Sequence, residues 1–275
     1  MISILLHLTL AWGYSIKVAK VAKDQHAHSL PPPTTLIGAV VKQLAKRDGA
    51  GEVAVVGGLL SSSAQKYADL FRAASSYLDP SSILESKTGI GKYWEDPLRY
   101  QVLQFQKKKR RGDPKYRFNI VPAGKVYCPG SRLVAGYLVD KSIAEKMLGP
   151  EWRRKILDAC YGVTCLGAKE GRVSVEDVEL NEAKQLGSGE FITRFYHPVH
   201  LIQEVLDITD KIYGMGGTYV ERFWTKSYIW GEEPSTEEYL IPGTRDPVLS
   251  CRMRVIPSTG VRVYGVGDDG LAVPA

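Results

Sequence analysis

The sequence predicts an α+β protein: a split βαββαβ, ferredoxin-like domain with an inserted basic β-hairpin, followed by a smaller C-terminal β region. Three observations predict it. Apolar patterning runs strand, helix, strand, strand, helix, strand over the first two-thirds of the chain. A dense run of lysine and arginine stands between two strand-like segments. After Gly187-Ser188-Gly189 the helical periodicity gives way to short β segments. The expected division is therefore 1–187, with the hairpin at about 99–121, and 188–275.

Ile2 to Leu10 reads as a buried strand, with Ile4, Leu6, Leu8 and Leu10 on one face and Leu5 as the apolar exception on the other. Pro31-Pro32-Pro33-Thr34-Thr35 opens a helix in which a threonine caps the first turn. Its apolar stripe is Leu36, Ile37, Val40, Val41 and Leu44, and Gly38 is expected to let it pack closely on a sheet. Valine-rich Glu52 to Leu60 predicts the second strand, and Ser61 to Leu78 a helix. Tyr100–Phe105 and Tyr116–Val121 predict strands flanking Gly112-Asp113-Pro114, a turn signal. Arg132 to Val139 is a further strand. Ser142 and Glu145 have capping-box spacing, and Gly149-Pro150 interrupts the helix they begin. That helix resumes through Trp152, Ile156, Leu157 and Cys160 to Gly162, and a strand follows from Arg172 to Val175. Cys251–Ile256 and Val261–Val266 are the clearest strands of the C-terminal region.

The 275 residues are 44% hydrophobic and 24% charged, which excludes a disordered chain. Met1 to Leu10 is apolar, but it lacks a basic leader and runs into Trp12-Gly13-Tyr14. It reads as a first strand, so a cytoplasmic protein with no membrane partner is expected. Net charge is +6, and its distribution is uneven. From Arg99 to Phe118 stand eight basic residues and one acid, Asp113, so the remainder of the chain is slightly acidic. A cationic patch this concentrated points to a polyanion. Cys128, Cys160, Cys165 and Cys251 form no C-x-x-C pair and read as free thiols by default, with a Cys160–Cys165 bridge the alternative in a hyperthermophile's protein. His197-Pro198-Val199-His200 lacks a third ligand, so neither metal nor cofactor is expected. Gly265 to Gly270 matches G-x-G-x-x-G by letter but precedes no helix, and reads as a turn.

Several blocks resemble one family. They are Trp12-Gly13-Tyr14, Pro31 to Gly38, Gly124-Lys125-Val126-Tyr127, Tyr137-Leu138-Val139-Asp140 and Leu166 to Gly171. Together they are similar to the Cas-five family of CRISPR-associated RAMP proteins, and within it to the archaeal type I-A branch. The resemblance covers residues 1 to about 180. It implies an RRM-like RAMP fold and a non-catalytic subunit that holds the 5′ handle of the crRNA. It also implies contacts with the repeated backbone subunit and the large subunit of Cascade, and target DNA as an indirect partner.

Candidate RNA-binding residues follow. Lys107, Lys108, Lys109, Arg110, Arg111, Lys115 and Arg117 would neutralise phosphates, and Tyr100, Phe105, Tyr116 and Phe118 interleave with them as stacking platforms. On charge alone such a run is often a solvated loop; the resemblance favours RNA. On sequence alone Gly167 to Gly171 is a plain β-turn with a surface lysine; the resemblance implies that Gly167, Lys169 and Gly171 present backbone N–H groups and one cation to a phosphate. Many relatives carry arginines where Ala168 and Lys169 stand. Pro31 to Gly38 is expected mainly to start the helix, whose N-terminus also makes Thr34 and Thr35 candidate handle contacts; Trp12 and Tyr14, from the first block of the resemblance, complete the candidate set. The alternatives are a metal-independent endoribonuclease, using Tyr14, Lys23, His26 and His28 for acid–base work, and a protein-only scaffold.

Overall fold

The computed structural model describes residues 1–18, 26–51, 53–85, 92–101, 118–187, 189–225 and 235–275. Strands β1 (Ile2–Leu10) and β2 (Gly13–Tyr14) precede helix α1 (Pro33–Arg47). Then come β3 (Val53–Val56), β4 (Leu59–Ser62), a 3-10 turn over Ser63–Leu70, β5 (Phe71–Leu78) and α2 (Pro80–Glu85). The hairpin strands β6 (Lys92–Gln101) and β7 (Phe118–Tyr127) lead to β8 (Arg132–Val139), α3 (Lys141–Leu148), α4 (Trp152–Tyr161) and β9 (Val173–Glu182).

One four-stranded sheet, in the order β5-β8-β1-β9 with every neighbour antiparallel, organises the molecule. β1 is central, paired along its length with β8 on one side and β9 on the other, with one face wholly apolar. Ile2, Ile4, Leu6, Leu8 and Leu10 are fully buried in the core that α1 and α4 complete. Leu5, the apparent exception, lies in a second core with Val134, Leu138, Phe195, Tyr264 and Leu271. Fully burying each such side chain is worth about 1.5–3 kcal/mol.

The C-terminal part supplies that second covering layer. It contains β10 (Phe191–Thr193), β11 (His197–Pro198), β12 (Ile202–Thr209), β13 (Thr218–Trp224) and β14 (Thr236–Thr244). β15 (Leu249–Ser250), β16 (Arg252–Pro257), β17 (Val261–Val266) and β18 (Asp269–Pro274) complete it. Phe195 lies so close to Gly136 of β8 that a Cβ there would stand 2.5 Å from the ring. Phe223, Tyr239, Ile241 and Leu249 join the same core as Ile2 and Leu36, so residues on both sides of position 187 share it.

Several expectations are corrected. Glu52 to Leu60 is not a strand of the main sheet. Gly57 and Gly58, at φ +59 and +82, fold it into the separate hairpin β3–β4. Val53 and Val55 are 63% and 69% exposed there. Ser61 to Leu78 is not one helix: only Ser63–Leu70 is helical, as a 3-10 helix. Phe71–Leu78 instead pairs with β8, burying Phe71, Ala74 and Leu78. Helix propensities for its alanines and serines differ by only a few tenths of a kcal/mol per residue, and burial plus pairing outweighs them. No threonine caps α1: Pro32 is its N-cap, and Thr34 and Thr35 lie inside the first turn. A Cβ on Gly38 would meet nothing within 4 Å, so that glycine serves no close packing. Helix α3 is capped by Asp140, which accepts from the Ser142 and Ile143 N–H groups, rather than by a Ser142–Glu145 box. Hydrogen bonds from Ser142 and Arg72 hold the Asp140 carboxyl down at about 2. The last strand runs on to Glu182 because β1 pairs along its whole charged length.

Candidate nucleic-acid interface

The hairpin of β6 and β7 leaves the body beside β2, and its root is stitched to two other segments. Gly13 and Tyr14 pair with Tyr127 and Val126. At φ +135, a Cβ on Gly13 would fall 1.9 Å from the Val126 carbonyl oxygen, so only glycine fits. The Ser15 hydroxyl donates to the Gly124 carbonyl at 2.8 Å, and Ser15 bridges Gly167 in parallel. The Leu166–Gly171 turn therefore sits against the hairpin root. Gly167 is left-handed, at φ +66, and a Cβ there would lie 2.5 Å from Ile16 Cγ1.

Trp12 joins all three segments. Its indole N–H donates to the Glu170 carbonyl at 2.6 Å, and its ring lies tilted on Tyr127 at 5.6 Å. Lys125 Nζ sits 5.8 Å from the Tyr127 ring centre and 3.4 Å from its hydroxyl. The result is a half-exposed aromatic pair beside Lys125, with Lys17, Lys169 and Arg172 exposed on the flanking segments and Glu170 the acid of the turn. Aromatic faces, flanking cations and a glycine turn can hold a stacked base and its phosphate.

The structure thus brings together Trp12, Gly167, Lys169 and Gly171. Thr34 and Thr35 are half-buried in α1, and no hydrogen bond or ion pair among the described residues joins them to the turn. Helix α1 is held instead by the Tyr196 hydroxyl, which donates to Pro31 O, and by Tyr137, which donates to Leu36 O. Tyr14 is fully buried. It donates to the Ser29 carbonyl, and burial, with Cys128, Tyr219 and Glu221 adding, pushes its hydroxyl well above the usual range. Lys107, Lys108, Lys109, Arg110, Arg111, Lys115 and Arg117 lie outside the described residues, as do Phe105 and Tyr116.

Of the acid–base set, Lys23 also lies outside the described residues. His28 is 2% exposed, edge-on to Phe223 at 4.9 Å, with Nδ1 3.7 Å from the buried Glu221. His26 is exposed, so Tyr14, His26 and His28 do not share one surface. His200 pairs with Glu237 at 2.9 Å while His197 is fully buried. Among the described residues, no three His, Cys, Asp or Glu side chains converge, and all four cysteines are free. No described helix is long and apolar enough to cross a membrane.

Sequence reasoning did not single out Lys17, Lys125, Tyr127 or Arg172 as site residues. The signal for two of them was the alternation in Gly124-Lys125-Val126-Tyr127, where Val126 is buried and Lys125 and Tyr127 face outward.

Aromatic rings and cations presented together at a hairpin root are groups that bases and phosphates can engage. The chain is 34% identical over 259 residues to the CRISPR system aCascade subunit Cas5 1 of Saccharolobus solfataricus, covering 94% of this chain and 95% of that one. It is 33% identical over the same length to CRISPR-associated protein Cas5 3 of that organism. The chain belongs to the Cas5 family. Its fold is that of a CRISPR protein from Archaeoglobus fulgidus, with a TM-score of 0.59 at 16% identity and the full length of both chains covered. No family profile matches the chain.

Proposed function

We propose that this chain is the non-catalytic, crRNA-binding subunit of a type I-A CRISPR Cascade complex, and that it caps the 5′-handle end of the guide. The carrying observation is the convergence of Trp12, Tyr127, Lys125 and the Gly167–Gly171 turn at the hairpin root. The sheet order β5-β8-β1-β9 supports reading residues 1–187 as a ferredoxin-like, RRM-type RAMP core, with the hairpin as its thumb. Residues 188–275 act as its second covering layer. Kinship with a subunit named for aCascade supports membership of such a complex, where the repeated backbone subunit and the large subunit are the neighbours and target DNA is reached through the guide. The cytoplasm is its compartment. Burial of Tyr14 and His28 supports binding over cleavage, because neither side chain is placed to exchange a proton with RNA.

The test is a titration of labelled repeat RNA against the full chain at several salt concentrations, in EDTA. Contact with about four phosphates gives log K falling with log salt at a slope of roughly −3. Replacing Lys107 to Arg111 with alanine flattens that slope. Salt-independent retention that survives this replacement overturns RNA binding in favour of a protein-only scaffold. A discrete cut lost in His26→Ala overturns the non-catalytic assignment.

A further inference from the structure

On the face of the main sheet away from α1, a cavity of about 730 Å3 opens beside the C-terminal layer. His7, Tyr77, Asp79, Arg132, Lys211 and Tyr213 are among its walls. Its size is that of a small-molecule pocket, and its rim carries an unusual residue. Ile212 to Met215 form a tight turn, closed by Met215 N–H donating to Ile212 O at 2.9 Å. Tyr213 and Gly214 occupy its centre at φ +52 and +73. Asparagine or glycine fills such a left-handed position at lower cost, and a bulky aromatic there is a backbone outlier. The ring gains no burial in exchange, since Tyr213 is 72% exposed. Strain at an exposed residue on a cavity rim points to a ligand.

The walls say which class. Lys211 is exposed and has no ion-pair partner among the described residues. Elsewhere on the wall the Arg132 guanidinium donates to Asp79 at 3.1 Å, the Ser81 hydroxyl to the same carboxylate at 2.8 Å, and Arg194 pairs with Asp210 at 2.6 Å, so the wall carries donors and acceptors together and the Asp210 charge beside Lys211 is balanced by Arg194. Tyr77 adds a second ring, braced edge-on by Phe195 at 5.2 Å. A peptide aromatic would ask for apolar walls. A nucleobase has a π-face, an edge bearing both donors and acceptors, and a phosphate alongside.

We propose that this cavity is a nucleotide site for single-stranded nucleic acid, with the base on Tyr213 and its phosphate at Lys211. It is separate from the hairpin root and does not depend on that root's role.

The test uses the full chain with Trp12 and Lys107 to Arg111 all replaced by alanine, so that neither the cationic run nor the aromatic pair at the hairpin root contributes. The probes are labelled oligouridine and oligodeoxyuridine of about eight nucleotides. In this background Tyr213→Ala weakens binding about tenfold, and Tyr213→Phe leaves it within about twofold. Tyr213→Asn also weakens it about tenfold, yet raises the melting temperature by about 2–4 °C through relief of the turn. Photo-crosslinking from 4-thiouridine or its deoxy analogue maps to residues 210–213. Whichever of RNA or DNA crosslinks there names the source, and both together mean indifference to the 2′-hydroxyl. No crosslink in that segment, or unchanged binding in Tyr213→Ala and Tyr213→Asn, overturns the proposal.

Discussion

Gly13→Ala will destabilise the protein by on the order of 3 kcal/mol or more and abolish the proposed RNA binding. The added methyl would sit 1.9 Å from Val126 O and 3.2 Å from Cys128 N, both backbone atoms, so no side-chain rotation relieves the clash. The backbone at φ +135 is also one that alanine rarely adopts. The only remedy is to part β2 from β7, which detaches the hairpin root and removes Tyr127 from Trp12. Gly38→Ala is the control. A Cβ there meets nothing, and alanine is the better helix former by about 1 kcal/mol, so that variant melts at the same temperature or higher. Thermal unfolding of the two variants beside the parent checks both statements. If Gly13→Ala melts like the parent, the root is not built as described.

Acid will cost the fold about 3 kcal/mol through His197 alone. Burial lowers its imidazole from the ordinary value of about 6.5 to about 4, because the fully enclosed ring cannot be charged without loss of solvation. The folded value lies below the unfolded one. The contribution is therefore complete above pH 6.5 and disappears as pH falls toward 4. Denaturant unfolding at pH 7, 5.5 and 4.5 measures the slope. His197→Leu should flatten it in that window, since leucine cannot take a proton. Asp140, held at about 2, and Glu176, lowered chiefly by a hydrogen bond from Thr9, lose their contributions below that window. An unchanged slope in His197→Leu would remove His197 as the cause.

Local pattern carried the parts of the fold in which one physical cause dominates. β1, α1, β8 and the α3–α4 break follow from apolar periodicity and from Pro and Gly placement, and the structure agrees with them nearly to the residue. β5 was illegible because Arg72-Ala73-Ala74-Ser75-Ser76 favours nothing strongly until β8 lies beside it. β9 was cut short because its charged residues hide the pairing that β1 imposes. The site was legible as separate motifs and not as an assembly. Trp12 and Glu170 lie 158 residues apart in the chain, and only the folded sheet brings them within hydrogen-bond distance. Tyr14 shows the opposite failure: it belongs to the Trp12-Gly13-Tyr14 motif, yet its side chain points into the core to hold Ser29. The basic run from Lys107 to Arg111 was the loudest signal in the sequence and lies outside the described residues, so its role rests on charge alone.

As proposed here, the hairpin root, and not the cationic run alone, holds a defined stretch of RNA. Crosslinking of 4-thiouridine-substituted handle RNA to the full chain, read by peptide mass spectrometry, tests it most directly. Adducts are expected on Trp12 or Tyr127 and on the turn bearing Lys169, with the first two lost in Trp12→Ala. Adducts confined to residues 102–117, with none on the root, would contradict it.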